Sequence, residues 1–347
     1  MSKKRLIIIG LIIVIMLSLL SATIIRSGSL KTMLQSQLAA ERFRGRSDSS
    51  FAQVSCFYPL GSGINLNTIL GFRQTVKSKL LEASLTEPET GSLSIDAYSM
   101  TGSLTVKGFR GSYTASALGI GGDYFLFHPL ILRSGSYIFE DDPAHDKVVL
   151  DEELAWQLFG AYNVAGMEVT INGAVFIVAG VVQRERDFAS EKAYTDKAGI
   201  FIPYQALVEP GQAVFSSYEV VLPEPISGFA KKVVSEGITA EGVEVVQNTG
   251  RFDTGKLWSI LTSFGERSMQ TSGIIYPYWE NAARLVEDHL VLLLICSILL
   301  SLFPIFCLII VLVRVAVKLR SKKKAAADWL DNQKEKITQR IWNNNRT

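Results

Sequence analysis

Two long runs of uncharged apolar residues, Leu6 to Ile25 and Leu290 to Val313, enclose a long middle stretch in which apolar and polar positions alternate at the short periods of a water-soluble domain. Each run reaches the ~20 residues a helix needs to cross the hydrocarbon core. Lipid offers the backbone no water to bond, so an apolar run of that length forms a helix. The pattern predicts transmembrane helices over 6–25 and 290–313, with everything between them on one side of a membrane. Basic residues before the first run and small ones after it (Ser21, Ala22, Ser27 to Ser29) also fit a cleaved signal peptide. The apolar core exceeds the roughly 7–15 residues of a typical signal, so a retained helix is the expectation.

Inside the apolar runs the period changes. Leu30, Met33, Leu34 and Leu38 recur at helical spacing up to the breakers at Gly45 to Ser50, which predicts a stalk helix over 26–49. A second stalk is predicted over 271–289, where Ala282, Ala283, Leu285 and Val286 lead into the second run. The domain between them, 50–270, alternates strand and helix patterns. Phe51 to Tyr58 is a strand, and Asn67 to Ala83 an amphipathic helix with Ile69, Leu70, Phe72, Val76, Leu80 and Leu81 on one face. Ser92 to Tyr98 and Ser103 to Phe109 are strands split by a turn at Met100 to Gly102. Val148 to Leu150 is a strand, Asp151 an N-cap, Glu152 to Phe159 a helix and Gly160 its stop. Asn172-Gly173 between Val169 and Val178 signals a hairpin. Gly180, inside a strand pattern, marks a bulge or a close backbone approach. Tyr218 to Leu222, Pro225 to Glu236 and Val243 to Gln247 read as strand, helix and strand of a split βαβ unit, and Ile200 to Pro203 as a further strand.

Charge orients this plan. Lys3, Lys4 and Arg5 precede the first run, and the tail from Arg314 carries ten basic and three acidic residues, so against a whole-chain charge of +2 the middle is left at about −8. Positive flanks stay cytoplasmic. The expectation is a cell-membrane protein with both termini cytoplasmic (1–5 and a basic tail, 314–347) and the large domain extracytoplasmic. The mild basicity is then a topology signal and gives no reason to expect nucleic acid. Only Cys56 lies in the outer domain, Cys296 and Cys307 being inside the second run, so that domain is held by its core without an internal disulfide.

The stretch from Ala117 to Tyr204 carries a series of short motifs. They are Gly121-Gly122-Asp123-Tyr124-Phe125, Leu132 and Gly135 ahead of Asp141 and Asp142, Val148-Val149-Leu150-Asp151-Glu152-Glu153-Leu154-Ala155, and Leu158-Phe159-Gly160. Gly166-Met167-Glu168-Val169-Thr170-Ile171-Asn172-Gly173, Phe176 to Val182 and Ile200-Phe201-Ile202-Pro203 follow. Their order and spacing, behind a membrane helix and its stalk, resemble the periplasmic core domain of MacB-like and FtsX-like ABC transporter permeases. The resemblance implies an α+β extracytoplasmic domain of two mixed α/β subdomains between two transmembrane helices with stalk extensions. It also implies a scaffold or mechanotransmitting module with no enzymatic role, any ATP hydrolysis residing on a separate ABC ATPase subunit. Permeases of this type carry four membrane helices and this sequence two, so the expectation is a shortened relative working with an ATPase, a fuller permease subunit, or as a homo- or hetero-oligomer. The alternative is a two-span surface receptor or sensor for an extracellular ligand or protein.

Chemical motifs add little. Gly250 to Lys256 opens like a phosphate-binding loop, but Leu257 stands where Ser or Thr would hold Mg²⁺, so a surface loop is expected. His128, His145 and His289 are far apart and lack second ligands at metal spacing, and no cofactor is expected. Glu140-Asp141-Asp142 and Arg184-Glu185-Arg186-Asp187 fit solvated turns, the former offering at most a weak Ca²⁺ contact. Two aromatic or amphipathic groups are candidate partner-binding residues. Tyr276, Tyr278 and Trp279 precede the second stalk helix; Trp329, Leu330, Ile337 and Ile341 line one face of a basic tail helix suited to membrane lipid or an ATPase.

Overall fold

The computed structural model describes residues 3–45, 49–59, 61–86, 91–194, 199–208, 213–238 and 240–344. After α1 (Lys3–Met33) come a 3-10 turn over Gln35–Gln37, α2 (Ala39–Arg44), β1 (Phe51–Phe57), α3 (Leu66–Glu82), β2 (Ile95–Gly108) and β3 (Gly111–Gly122). Next are α4 (Tyr124–Phe127), β4 (Ile131–Gly135), β5 (Lys147–Asp151), α5 (Glu152–Phe159), β6 (Glu168–Ile171), β7 (Ala174–Gln183) and α6 (Phe188–Ala193). The chain closes with β8 (Gly199–Pro203), α7 (Tyr204–Leu207), β9 (Ser217–Pro223), α8 (Phe229–Gly237), β10 (Glu244–Gln247), α9 (Thr254–Ile260) and α10 (Tyr278–Asn344). It forms two units, one from Gly28 to Val291 and one made of the terminal segments Met1–Ser27 and Leu292–Thr347.

In the first lobe of the Gly28–Val291 unit, β1 lies antiparallel between β10 and β9, and β9 is antiparallel to β2. Strands β9 and β10, joined by α8, are therefore parallel with β1 between them; β1 and β2, joined by α3, are parallel with β9 between them. Two interleaved split βαβ units in the order β10-β1-β9-β2 give a ferredoxin-like arrangement. Ile69, Phe72, Val76 and Leu80 of α3 bury with Ala230, Val233 and Val234 of α8 against Val54, Cys56, Val220 and Leu222. Leu70 and Leu81, expected on the same face, flank this stripe and are exposed.

The second lobe is a closed barrel. Strand β2 pairs with β3, β3 with β8, β8 with β5, β5 with β7, β7 with β6, and β6 returns to β2 through Val106 and Lys107. Closure leaves these strands no open edge. Val106, Ala117, Val148, Leu150, Ile171, Val178 and Ile200 fill the core with Leu154, Ala155 and Leu158 of α5. As the sequence predicts, Asp151 caps α5, accepting from Leu154 N–H at 2.7 Å, and Asn172 and Gly173 turn the β6–β7 hairpin with φ of 50° and 84°.

The turn expected at Met100 to Gly102 is absent. Strand β2 runs for 14 residues, pairing with β9 over Ile95–Ser99 and with β6 over Val106–Lys107. Its apolar alternation lapses in between because the strand passes there from one core to the other. The two subdomains are thus lobes of one sheet.

Gly180 has the close approach its position predicts. Register slips beside it, Val148 facing Val178 and Val149 facing Gly180. A Cβ there would stand 2.4 Å from Ser136 O and 2.9 Å from Ser134 O, both main-chain atoms. Gly180→Ala is expected to destabilise the protein by about 1–3 kcal/mol, the usual effect of forcing carbon into a packed site. The check is the thermal midpoint of the detergent-solubilised variant; an unchanged midpoint contradicts the approach.

The opposite face of the sheet is covered by Ala39 and Ala40 of α2, by Tyr124, Phe125 and Phe127 of α4, and by Trp279 of α10. Segments read in sequence as stalks therefore pack within the Gly28–Val291 unit: Leu30 and Leu34 on one side, and Ala282, Ala283 and Val286 on the other, are buried, as is Leu290, the first residue of the second apolar run. The first stalk is not one helix, since α1 ends at Met33 and α2 starts at Ala39, and the second is helical only from Tyr278; their apolar residues are buried within this unit.

In the unit of terminal segments, both helices are long and apolar enough to cross a membrane. Leu11, Ile15, Leu302 and Leu308 are exposed, as lipid-facing residues are. Thr23 Oγ1 and Ser297 Oγ lie 2.9 Å apart, one hydroxyl bonding across the pair. Pro304 lies inside α10 without ending it.

Candidate functional site

Along β1 the side chains alternate, Ala52, Val54 and Cys56 toward α3 and α8, Gln53 and Ser55 toward the other face, and all five are buried. Buried polar groups are hydrogen bonded, and these draw partners from both ends of the Gly28–Val291 unit. Gln53 Nε2 donates to Ser36 O at 2.8 Å, and its Oε1 accepts from Ala39 N–H at 3.0 Å. Ser55 Oγ lies 2.7 Å from Glu219 Oε1 and 2.9 Å from Asn248 Oδ1, so its single proton serves one at a time. Asn248 Nδ2 donates to Gln37 Oε1 at 2.9 Å. His128, just after α4, sets Nε2 against Glu219 Oε2.

At the centre is Arg251, 3% exposed. Its Nη1 and Nη2 grip Glu280 bidentately at 2.8 and 3.1 Å, its Nε donates to Glu287 Oε1 at 2.9 Å, and Nη1 also reaches Gln37 Oε1 at 2.9 Å. Gln37 lies four residues beyond the end of α1, and Glu280 and Glu287 lie on α10. One guanidinium therefore ties the roots of both apolar helices to each other and, through Gln37, Asn248 and Ser55, to β1.

Two further arginines complete a balanced cluster. Arg284 donates from Nε to Glu280 Oε1 and from Nη2 to Glu244 Oε1, each at 2.7 Å, while Arg267 Nη1 donates to Glu287 Oε2 at 2.6 Å. Three guanidiniums thus face three carboxylates, which satisfies charges whose removal from water would otherwise cost several kcal/mol per ion. Burial alone pushes the Glu280 carboxyl up, but the charges and hydrogen bonds of Arg251 and Arg284 outweigh it and hold it below the usual carboxylate range. Arg251 follows the same balance: burial pulls it down, Glu280 and Glu287 more than restore it, and it stays charged.

A pH dependence follows. A carboxyl depressed on folding contributes stability above its unfolded value, near 4.5, and loses it as pH falls toward the folded value. Glu280→Gln is therefore expected to be less stable than the parent at neutral pH, with the difference shrinking below about pH 4.5. Urea unfolding across pH 3–7 checks it; a difference that is flat with pH refutes the role of the charge.

The barrel lobe also touches the α10 root. Tyr194 stacks on Tyr278 at 4.2 Å, Phe188 meets His289 at 4.7 Å, and Trp279 lies against His128 at 4.2 Å and Tyr124 at 5.9 Å.

The sequence-predicted partner-binding residues separate. Tyr276 and Trp279 are buried: the Arg284 guanidinium lies 3.8 Å over the Tyr276 ring, whose hydroxyl donates to Glu244, and Trp279 fills the core beneath α4. Tyr278 is half-buried. Trp329 and Leu330 are exposed on α10, and the side chains of Ile337 and Ile341 lie outside the described residues. The acidic run at Glu140 has internal partners, Glu140 accepting from Tyr98 at 2.7 Å and Asp142 from Lys147 at 2.7 Å. Among the described residues no group of three or more His, Cys, Asp or Glu is placed to hold a metal.

The stretch Gly250 to Lys256, expected as a surface loop, instead turns Arg251 and Phe252 inward. Arg251, Glu280, Arg284, Glu287 and Gln53 are what the sequence reading missed. The available signal was Glu280, Arg284 and Glu287 at i, i+4 and i+7, one charged stripe on a helix that also carries Ala283, Val286 and Leu290.

A protein-family model described as MacB-like periplasmic core domain matches residues 6–230. The chain belongs to this family. Its large domain is accordingly a periplasmic-type domain of ABC transporter-type proteins, flanked by two apolar helices. The matched range ends in α8, so Arg251 and α10 lie beyond it. Among solved structures, the extracellular domain of the noncanonic ABC-type transporter YknZ from Gram-positive bacteria is similar at 16% identity and TM-score 0.39, covering 56% of this chain and 99% of that one. The periplasmic region of MacB from Actinobacillus actinomycetemcomitans is similar at 20% identity and TM-score 0.39, covering 67% and 99%. No curated protein matches the chain.

Proposed function

We propose that this MacB-family protein is a non-catalytic, permease-like component of an ABC transporter assembly, relaying conformational change between its extracytoplasmic domain and an ATPase on a separate chain. The observation that carries the reading is Arg251, which holds Gln37 beside α1 and Glu280 and Glu287 of α10 at once. A displacement of either helix root is thereby passed to the other and, through Asn248 and Ser55, to the sheet. Such a chain of buried, hydrogen-bonded groups is a physical connection by which coupling can be carried.

The accompanying topology has spans over 6–25 and 290–313, both termini in the cytoplasm, and the basic tail free to meet lipid or the ATPase through Trp329 and Leu330. The alternative, a two-span receptor, has no comparable support in the structure. Gentle detergent solubilisation of the full chain and mass spectrometry of what copurifies tests the assembly. An ABC ATPase or a fuller permease is expected, and recovery of neither with the tail intact overturns the proposal.

A further inference from the structure

We infer that the segment from Trp258 to Phe264 is a lipid-interface anchor, seated in the headgroup layer beside the point where α10 enters the membrane. The inference rests on reading Leu290 to Val313 as a membrane span and on the register of the chain along α10. Residues 251–276 run down α10 and back. Arg251 bonds Glu280 and Glu287 on the way down. At the lowest point Gly265 N–H donates to Asp288 Oδ2 at 3.2 Å. On the way back Arg267 bonds Glu287 and accepts at its carbonyl from Arg284, and Met269 N–H donates to Asn281 Oδ1 at 2.8 Å.

Asp288 precedes the apolar run by two residues. At 1.5 Å of rise per residue Gly265 stands about 3 Å from the start of that run. A headgroup layer of roughly 5–7 Å on each side separates the hydrocarbon core from water. The low stretch of the loop therefore falls inside it.

The side chains there divide by face. Leu257 and Ile260 turn into the domain, whereas Trp258 (57% exposed), Leu261 (38%) and Phe264 (41%) point outward. Trp258 and Leu261 are one helical turn apart, and Phe264 follows directly after the 3-10 turn Leu261–Ser263. Neighbouring exposed Trp, Leu and Phe make a small apolar patch of a composition that suits membrane contact. Trp prefers the membrane–water boundary, where its ring meets apolar tails and its N–H meets polar headgroups. Lys256, exposed next to this face, adds a cation suited to anionic headgroups. The segment lies outside the residues the family model matches.

Nitroxide depth measurement on the full-length protein in phosphatidylethanolamine–phosphatidylglycerol vesicles tests the anchor. Cys296 and Cys307 are first replaced by Ser; Cys56 stays, because burial pushes its thiol up to about 12 and keeps it unreactive. Labels at Leu261→Cys and, separately, Phe264→Cys are compared with Leu302→Cys inside the second apolar run and Phe109→Cys on an exposed hairpin tip. The expected result is relaxation by oxygen, relative to a water-soluble nickel chelate, well above the Phe109 value and approaching that of Leu302. Labels at both positions that match Phe109 overturn the anchor, as do labels reached by neither relaxant, which would mean that protein covers the patch. If the Leu302 label itself reads as aqueous, the span reading fails, and the anchor with it.

Discussion

Arg251→Met should destabilise the extracytoplasmic domain by about 3 kcal/mol, the lower end of the range for breaking a buried ion pair. The lower end applies because Glu280 keeps Arg284 and Glu287 keeps Arg267 after the change, so neither carboxylate is stranded. What is lost is the charge balance of the cluster and the partner of Gln37 Oε1, which retains Asn248 alone. At roughly 2–4 °C per kcal/mol for a domain of this size class, the thermal midpoint should fall by about 6–12 °C. The double variant Arg251→Met with Glu280→Gln restores equal numbers of charges and should recover part of the loss. Differential scanning fluorimetry of the three proteins in one detergent decides it, and a midpoint for Arg251→Met equal to the parent's would show that the cluster is not a structural joint.

Trp279→Ala should have the largest effect on stability, about 3–5 kcal/mol, because it removes a large buried side chain where neighbours cannot collapse. Its indole is 2% exposed and packs against His128, Tyr124 and the Tyr278 ring. Trp279→Phe should retain a good part of the packing. The two root variants separate by pH. The Arg251→Met deficit should shrink in acid, as protonation of Glu280 relieves the charge imbalance, whereas the Trp279→Ala deficit is a packing loss and should persist. Unfolding at pH 4 and pH 7 distinguishes them; a Trp279→Ala deficit that vanishes in acid would contradict the packing origin.

What the sequence reveals is the chemistry of short distances. The Asn172-Gly173 turn, the Asp151 cap, the α3 stripe without Leu70 and Leu81, and the bulge at Gly180 each follow from neighbours a few residues apart, and are present in the fold. Barrel closure is different. It depends on Val106 meeting Ile171, a pairing no local pattern encodes, and β2 is continuous because its second half has that distant partner. The stalk pattern falls partly on helix, α1 ending at Met33 and α10 starting at Tyr278, and an apolar stripe does not say whether lipid, a partner or the chain's own domain covers it.

The charged junction was hidden for a related reason. Charged residues are mostly exposed, so Arg251 in a glycine-flanked loop looked like surface, and its partners Glu280 and Glu287 lie well downstream. Only the i, i+4, i+7 charged stripe of α10 hinted that water was not the intended neighbour.

The position of β1 in the sheet has a consequence for how the protein is made. Its two neighbours, β9 and β10, are both synthesised long after it, for Phe51 pairs with Pro223 and Val54 with Gln247. Every strand of the barrel emerges before either of them. The barrel can therefore close while β1 waits, open on both sides with apolar and polar faces unpaired, the slow and aggregation-exposed situation of distant strand pairing. Arg251 and its glutamates come after every strand of both lobes. The joint between the two helix roots is a clasp that can shut only once the last strand, β10, has been made, so a chain stalled midway has every strand of the barrel and an open seam at β1.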